Sequence, residues 1–159
     1  MEFFMFAPTL ARLLRYVLLL SFLFMTAESG NALASAELDY LEANRKKSGV
    51  MVTQSGLQYR VLQNGSGRKP SAKDAVEVHY KGSLITGKVF DSSYARSRSI
   101  SFPLNRVIAG WTEGLQLMKE GAKYELVIPS NLGYGALGAG KSIPANATLI
   151  FVVELLKVH

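Results

Sequence analysis

The sequence predicts an α+β fold in which a curved antiparallel sheet of five or six strands wraps around one short helix. The helix is expected over residues 103–118, where apolar residues recur at intervals of three and four and so share one helical face. These residues are Val107, Ile108, Trp111, Leu115 and Met118. The other regular segments of this half alternate with the period of two that is typical of strands. One apolar helix across a concave sheet leaves a pocket at the start of the helix, floored by Trp111, the only tryptophan.

Composition limits the classes of protein to which the chain can belong. It has 159 residues, a net charge of +6, a pI of about 9.6 and no cysteine. This length fits one domain with an appendage. The lack of cysteine excludes disulfides, thiolate metal sites and cysteine nucleophiles. The basic clusters at 45–47, 68–69 and 96–98 lack interleaved stacking aromatics, so we expect no nucleic-acid partner and a solvated basic surface instead.

The first 34 residues have the order of features found in a signal peptide. Arg12 and Arg15 precede an apolar run over 16–25, and small residues follow at 32–34. The run is shorter than the roughly 20 apolar residues of a membrane-spanning helix. We therefore expect cleavage after Ala34, with Ala36 as second choice, and release into the periplasm or the medium. The long apolar stretch ahead of Arg12 keeps open an alternative, an uncleaved anchor in the inner membrane.

The remaining elements follow in chain order. Residues 35–54 are expected to form a short helical lead-in, with Ser35 at its N-cap, and a first strand. Further strands are expected at 57–62, 76–81, 89–91, 124–128 and 147–158. In the strand at 76–81 the alternation places Tyr80 toward the core and His79 on the opposite face. Residues 129–146 form a loop too long for a simple connection, and a loop of this length with its own apolar residues is usually functional.

Several short motifs, in a fixed order and spacing, carry a family resemblance. They are Val78-His79-Tyr80-Lys81-Gly82, Gly87-Lys88-Val89-Phe90-Asp91-Ser92-Ser93, Val107-Ile108-Ala109-Gly110-Trp111, Tyr134-Gly135, Ile143-Pro144 and the run 147–156. This set resembles the FKBP-type peptidyl-prolyl cis/trans isomerases, and the resemblance implies an isomerase domain over 55–159. Residues 40–44, 49–50 and 55–59 further resemble the exported bacterial branch typified by macrophage infectivity potentiator. That branch often has a long dimerisation segment, and since only a short helix precedes the domain here, we expect a monomer.

The resemblance also implies an activity and a site. It implies rotation about Xaa-Pro bonds in exported proteins, with proline-containing polypeptides as substrates, macrolides of the rapamycin type as inhibitors, and no cofactor or metal. The residues that match the family's substrate pocket are Tyr80, Phe90, Arg96, Ile100, Val107, Trp111, Ile143 and Phe151. The catalytic positions are Asp91, the Tyr134 hydroxyl and the Ile108 backbone N–H. Ile100 stands where the family often has an aromatic residue and Ala145 where a second proline is frequent, which puts substrate preference in question.

Other interpretations compete with this one. Taken singly, the apolar residues are ordinary core, and Asp91 is a turn residue beside Ser92 and Ser93. His79 faces away from Tyr80, so a serine-type triad or a histidine metal site is not supported. Two other functions also stay open: a module of the same fold that holds proline-containing segments without turnover, and an anchored structural domain whose pocket is incidental.

Overall fold

The computed structural model describes residues 32 and 34–159. The chain divides between residues 36 and 37, and the unit 37–159 contains the sheet, the helix that covers it and the candidate site. The predicted signal peptide over 1–34 lies outside the described residues except at positions 32 and 34. No helix within the described part of the chain is both long and apolar enough to cross a membrane.

Two α-helices and seven strands make up the regular structure of this part. Helix α1 covers residues 34–44 and helix α2 covers Ala109–Leu115. The strands are β1 Val50–Val52, β2 Gln58–Gln63, β3 Ala75–Leu84, β4 Val89–Ser92, β5 Ile100–Pro103, β6 Lys123–Ile128 and β7 Leu149–Val158. Short 3-10 turns lie at Tyr94–Arg96, Leu104–Arg106, Ser130–Leu132 and Gly135–Leu137.

All seven strands belong to one antiparallel sheet, which confirms the predicted fold class. The order is β1-β2-β6-β7-β3-β4, and β5 also pairs with β3. The strand absent from the prediction is β5, a segment of only four residues that ends in a proline and is too short for its alternation to stand out. It pairs with the first half of β3 and β4 pairs with the second half, so the segment between β4 and β5 lies beside the middle of β3.

Strand β3 has one buried face and one partly exposed face. Val76 and Val78 are fully buried and Tyr80 is 6% exposed, whereas the residues between them are only partly buried. This matches the predicted alternation, with Tyr80 toward the core and His79 on the other face. Tyr80 stands opposite Val153 of β7, a fully buried partner, so a shift of one residue would turn the apolar face of β3 to solvent.

Helix α2 is shorter than predicted. The sequence indicated one helix over 103–118, but the helix begins at Ala109, after a 3-10 turn at Leu104–Arg106, and ends at Leu115, so Met118 lies beyond it. Val107 and Ile108 have extended backbone angles, with ψ of 175° and 148°. They therefore lie ahead of the helix and do not share its apolar face, because Pro103 ends β5 and the chain must still turn before the first helical bond.

Two glycines let α2 lie close on the sheet. A side chain at Gly110 would overlap Ile128 of β6, and a Cβ at Gly114 would stand 2.7 Å from Leu126 Cδ1. Between helix and sheet lies a core whose fully buried members include Leu115, Leu126 and Ile128. The close approach fixes the first turn of α2, and with it the position of Trp111 above the sheet.

Helix α1 is hydrogen-bonded to the same sheet. The buried Asn44 amide donates to Gln58 Oε1 at 2.9 Å, and the Thr148 N–H donates to Glu37 Oε2 at 2.9 Å. Ser35 was predicted as the N-cap of this helix, and this prediction was wrong, because residue 34 is already helical.

Candidate functional site

A cavity of about 680 Å³ opens at the N-terminal end of α2, where the sequence predicted a pocket. Its volume is in the range usual for small-ligand sites. It is lined by Tyr80, Phe90, Asp91, Ile100, Phe102, Arg106, Val107, Ile108, Trp111, Tyr134, Ala139, Ser142, Ile143 and Phe151. Ten of the eleven residues proposed from the sequence line it. The eleventh, Arg96, lies in the segment between β4 and β5 and donates hydrogen bonds to two lining residues, Asp91 and Tyr80.

Aromatic rings form the base of the cavity. Trp111 meets Tyr80 edge-to-face with centroids 5.1 Å apart, and it meets Phe151 in the same way at 5.1 Å. Phe102 of β5 lies against the indole at 5.4 Å. Edge-to-face pairs at these distances are a favourable geometry for aromatic rings. The base is therefore an apolar surface of fixed orientation, which suits a flat, apolar ring of a ligand.

A glycine makes room for the aromatic wall beside this base. Phe90 and Phe151 meet edge-to-face, 5.5 Å apart, above Gly82 of β3. A Cβ at Gly82 would stand 2.6 Å from Phe151 and 2.7 Å from Phe90. Any larger residue there would push the two rings apart. Gly82 was quoted only as part of a motif, and its role follows from the pairing of β3 with β4 and β7.

Asp91 holds the main polar cluster at the edge of the cavity. Its carboxylate accepts hydrogen bonds from the Tyr80 hydroxyl and from Arg96, and the Ser92 N–H donates to it at 2.8 Å. Arg96 also donates to the Tyr80 oxygen at 2.9 Å. The three side chains thus form a closed triangle, which orients the carboxylate more strictly than a single ion pair would.

The electrostatics of this triangle keep Asp91 ionised. Partial burial by itself raises the pKa of Asp91, but hydrogen bonds from Tyr80 and Arg96, together with the arginine charge, outweigh it and lower the pKa overall. The pKa of Tyr80 is raised, first by burial and then by its bond to Asp91. The bond to Asp91 is also the main cause that raises the pKa of Arg96. A carboxylate with a lowered pKa is a weak base at neutral pH, so the cluster is suited to orienting a ligand.

Ser93 connects this cluster to the backbone of β3. Its fully buried hydroxyl accepts from the Tyr80 N–H at 2.8 Å and lies 3.2 Å from the Tyr80 carbonyl oxygen. His79 Nδ1 lies 2.9 Å from the same hydroxyl, and the His79 ring stacks on Tyr94 at 4.8 Å. His79 is therefore placed on the opposite face of the sheet from the cavity, as predicted.

The remaining polar positions belong to the chain before α2 and to the long loop. Ile108 directly precedes the first helical turn, where backbone N–H groups have no acceptor within the helix. Tyr134 lines the cavity from the loop and is 42% exposed. A two-way backbone bridge between Ala139 and Ile143 shapes the tip of this loop.

Sequence reasoning missed four lining residues. Phe102 and Arg106 were missed because β5 and the turn after it were not recognised, although Phe102 is an apolar residue close to the helix. Ala139 and Ser142 belong to the loop tip, which was described only as small and polar. No group of three or more His, Cys, Asp or Glu side chains that could hold a metal ion occurs among the residues that the structure describes.

Comparison with known sequences and structures gives consistent matches. The family profile described as "FKBP-type peptidyl-prolyl cis-trans isomerase" matches residues 66–156, and the profile of the domain amino-terminal to it matches residues 24–61. The chain is 54% identical over 127 residues to an FKBP-type 22 kDa peptidyl-prolyl cis-trans isomerase of Escherichia coli, covering 80% of this chain and 62% of that one.

Two further matches support the same grouping. The peptidyl-prolyl cis-trans isomerase Mip of Coxiella burnetii is 50% identical over 119 residues, which cover 75% of this chain and 52% of that one. The crystal structure of FkpA from Escherichia coli superposes with a TM-score of 0.80 at 41% identity, covering 93% of this chain and 69% of that one. The chain spans less than two thirds of the length of the two curated isomerases, 62% of the 22 kDa protein and 52% of Mip.

Proposed function

The chain belongs to the FKBP-type peptidyl-prolyl cis-trans isomerases, and from this premise we propose that it accelerates rotation about Xaa-Pro bonds in exported proteins and so assists their folding. The observation that carries the proposal is the cavity itself. Its base and walls are mainly aromatic and aliphatic, and a hydrogen-bonded polar cluster around Asp91 lies at its edge. Such a site can remove water from a proline ring while holding the flanking peptide in one orientation.

The chemistry requires no nucleophile and no proton transfer. An Xaa-Pro bond rotates over a barrier of about 18–20 kcal/mol because twisting destroys the resonance of the amide. The twisted amide has a smaller dipole than the planar one, so an apolar cavity disfavours the planar ground state relative to the transition state. This is differential binding, in which only interactions that favour the transition state raise the rate.

Each group of lining residues would have its own role in binding the peptide. The proline ring would lie on Trp111, between Tyr80 and Phe151. The Ile108 N–H and the Tyr134 hydroxyl would hold peptide carbonyls on either side of the bond. Asp91, kept ionised by Arg96 and Tyr80, would orient the twisting carbonyl by its charge. Leu or Phe before proline would be favoured, because Phe90, Ile100 and Ile143 offer an apolar neighbouring site.

The proposal extends to organisation and location. Residues 1–34 would be a signal peptide, 35–54 a helical lead-in with the first strand, and 55–159 the isomerase domain, acting as a monomer in the periplasm or the medium. Mass spectrometry of the periplasmic fraction should then find an N-terminus at Ser35 or Glu37. Full-length protein confined to the membrane fraction would establish the inner-membrane anchor instead.

A protease-coupled assay on Xaa-Pro peptides tests the activity. Purified protein should accelerate isomerisation, and Asp91→Leu should lower kcat/KM substantially while the fold persists. The rate should stay nearly flat from about pH 6 to 8, the range in which an unperturbed histidine changes charge. A bell-shaped profile in that range would point to acid–base chemistry and would contradict the mechanism. A macrolide of the rapamycin type should compete with the peptide and change the fluorescence of Trp111.

One observation favours a second candidate, a module that holds proline-containing segments. Leu137, on the loop that carries Tyr134, is 95% exposed, which leaves an apolar side chain free to contact a bound chain. Absent turnover with intact macrolide binding would support this second function and overturn the first.

A further inference from the structure

The cavity lining contains one acidic side chain, Asp91, and one basic side chain, Arg106, and only the acidic one has a charged partner. Asp91 is already paired with Arg96 and accepts a hydrogen bond from Tyr80. Arg106 also lines the cavity, and it takes part in none of the four ion pairs recorded for the described residues. The lining charge that is left uncompensated is therefore positive.

The two segments that supply most of the lining residues also contain more basic than acidic residues. Two segments supply ten of the fourteen lining residues, 92–112 and 126–146, and neither contains an Asp or a Glu. They contain four cations, Arg96, Arg98, Arg106 and Lys141, all of them exposed. Lys141 is adjacent to the lining residue Ser142. Arg96 is the only one of the four that has an ion pair with an acid among the described residues. Three cations of the two segments are therefore left without an acidic partner, and one of them, Arg106, lines the cavity.

Arg106 has the position to act on a bound peptide. It ends the 3-10 turn after β5 and precedes Ile108 by two residues, and the Ile108 N–H is the group proposed to hold a peptide carbonyl next to the proline. A side chain in this wall would reach residues close to the proline. Neighbouring charges in a partly enclosed apolar cavity interact more strongly than they do in open solvent.

We propose that this cavity selects proline segments that carry an Asp or Glu close to the proline, and that Arg106 is the residue that determines the preference. The inference rests on the proposed isomerase function and names a class of substrate for the same site. The residue directly before proline stays apolar, since its neighbours in the cavity are Phe90, Ile100 and Ile143. The acidic residue therefore stands two positions before the proline or one or two positions after it.

The test compares peptides that differ by one charge only. A series of Leu-Pro peptides carries Glu at each of these three positions in turn, with Gln at the same position as the matched neutral peptide. For the unaltered protein we expect the Glu peptide to have a kcat/KM roughly threefold above that of the Gln peptide at one position or more, as for an exposed or half-exposed ion pair. The ratio should fall toward one as salt is raised.

Variants then assign the preference to Arg106. Arg106→Gln should bring the Glu/Gln ratio close to one, and Arg106→Glu should bring it below one. Lys69→Gln removes the same charge at an exposed position outside the cavity lining and should keep the ratio of the unaltered protein. Circular dichroism of each variant shows whether the fold is intact, and the ratio is an internal measure that a general loss of rate does not change.

The outcomes separate this inference from the proposed function. Turnover of both peptides with a ratio of one at all three positions overturns the inference and leaves the isomerase function standing. A preference that Arg106→Gln and Lys69→Gln diminish equally would reflect net charge, and it would also overturn the assignment to Arg106. No turnover of any peptide overturns the isomerase function itself.

Discussion

The cavity has two sides that are built in different ways. The strand-side rim, which consists of Tyr80, Asp91, Ser93 and Arg96, is held by side-chain hydrogen bonds, an ion pair and the pairing of β3 with β4. The loop-side rim, residues 129–146, is shaped by backbone turns, and glycines at 135, 138 and 140 with positive φ angles make those turns possible.

The difference suggests a division of labour. Groups that must point in one direction, such as the carboxylate of Asp91, lie on paired strands where several bonds fix each atom. The segment that would contact different peptides in the proposed function lies on a loop, with Tyr134 at 42% exposure and Leu137 at 95%. A rigid rim and an adaptable rim in one site would combine accurate orientation with broad acceptance of sequence.

The largest effect is expected from Gly138 of the loop-side rim. Its backbone angles, φ 62° and ψ −161°, are essentially restricted to glycine, and a Cβ would overlap the Ile143 carbonyl oxygen and stand 2.8 Å from Pro144 C. Gly138→Ala should therefore displace the loop tip with Ile143. We expect kcat/KM to fall by about tenfold to a hundredfold, because small misplacements of binding groups are costly, with a loss of stability of about 1–3 kcal/mol at most.

Gly140→Ala is the matched control in the same loop. Gly140 also has a positive φ of 54°, but nothing lies within 4 Å of the added Cβ. This substitution should cost only the backbone strain, about 1–2 kcal/mol, and change kcat/KM far less. Equal losses in both variants would mean that the backbone strain of a side chain at positive φ, and not the overlap with Ile143, causes the loss of kcat/KM. Urea unfolding and the peptide assay measure the two quantities.

A smaller effect is expected from Ser93 of the strand-side rim. Ser93→Ala removes a fully buried hydroxyl and leaves the Tyr80 N–H without this acceptor, which should cost about 1–3 kcal/mol of stability. The segment that carries Asp91 and Arg96 should loosen, and kcat/KM should fall by up to about tenfold. Ser92→Ala, which removes a half-buried hydroxyl bonded to the Ala95 N–H at 3.3 Å, is the control and should change both quantities less. An unchanged rate in Ser93→Ala would show that Tyr80, Arg96 and the Ser92 N–H fix Asp91 without the help of Ser93.

The two rims also differ in how far the sequence could predict them. Within the strand-side rim only Tyr80 follows from a local rule, because a period of two fixes which side of β3 it occupies. Asp91 and Arg96 were proposed from the family motifs, and Ser93 was not proposed as part of the site. Tyr134 and Ile143 of the loop-side rim could be proposed only from motifs, since no periodicity constrains a loop. The conformation at Gly138 depends on its contact with Ile143 five residues away, and composition alone says nothing about such a contact.

The start of α2 shows another limit of sequence reasoning. Val107 and Ile108 have helical spacing relative to Trp111, so the pattern counted them as helical. In the structure they are extended, because Pro103 ends a strand that the sequence did not reveal and the 3-10 turn must come first. Both residues nevertheless line the cavity, as predicted, although the helical conformation predicted for them was wrong.

Acid should affect the strand-side rim in a predictable direction. The pKa of Asp91 is lower in the folded protein than in an unfolded chain, so its contribution to stability is fully present above about pH 4 and is lost as the pH falls through the folded value. The stability difference between the unaltered protein and Asp91→Asn should therefore be constant from about pH 5 to 8 and shrink below about pH 4. Because the pair is partly exposed, we expect less than about 1 kcal/mol. A difference that grows in acid would contradict the lowered pKa, and Gly140→Ala should show no such change.

The smallest effect is expected from His79, which lies behind the strand-side rim. His79→Ala should change kcat/KM by less than about twofold, because the Ser93 hydroxyl keeps both the N–H and the carbonyl of Tyr80 as partners when the imidazole is gone. The lost stacking on Tyr94 should reduce stability only slightly, since Tyr94 is itself 41% exposed. A double-mutant cycle with Ser93→Ala measures the coupling of the two side chains. A tenfold loss of rate in His79→Ala, together with strong coupling to Ser93, would mean that His79 helps to hold the strand-side rim from the other face of the sheet. Near-additive changes with an almost unaltered rate would confine the rim to the cavity side of β3.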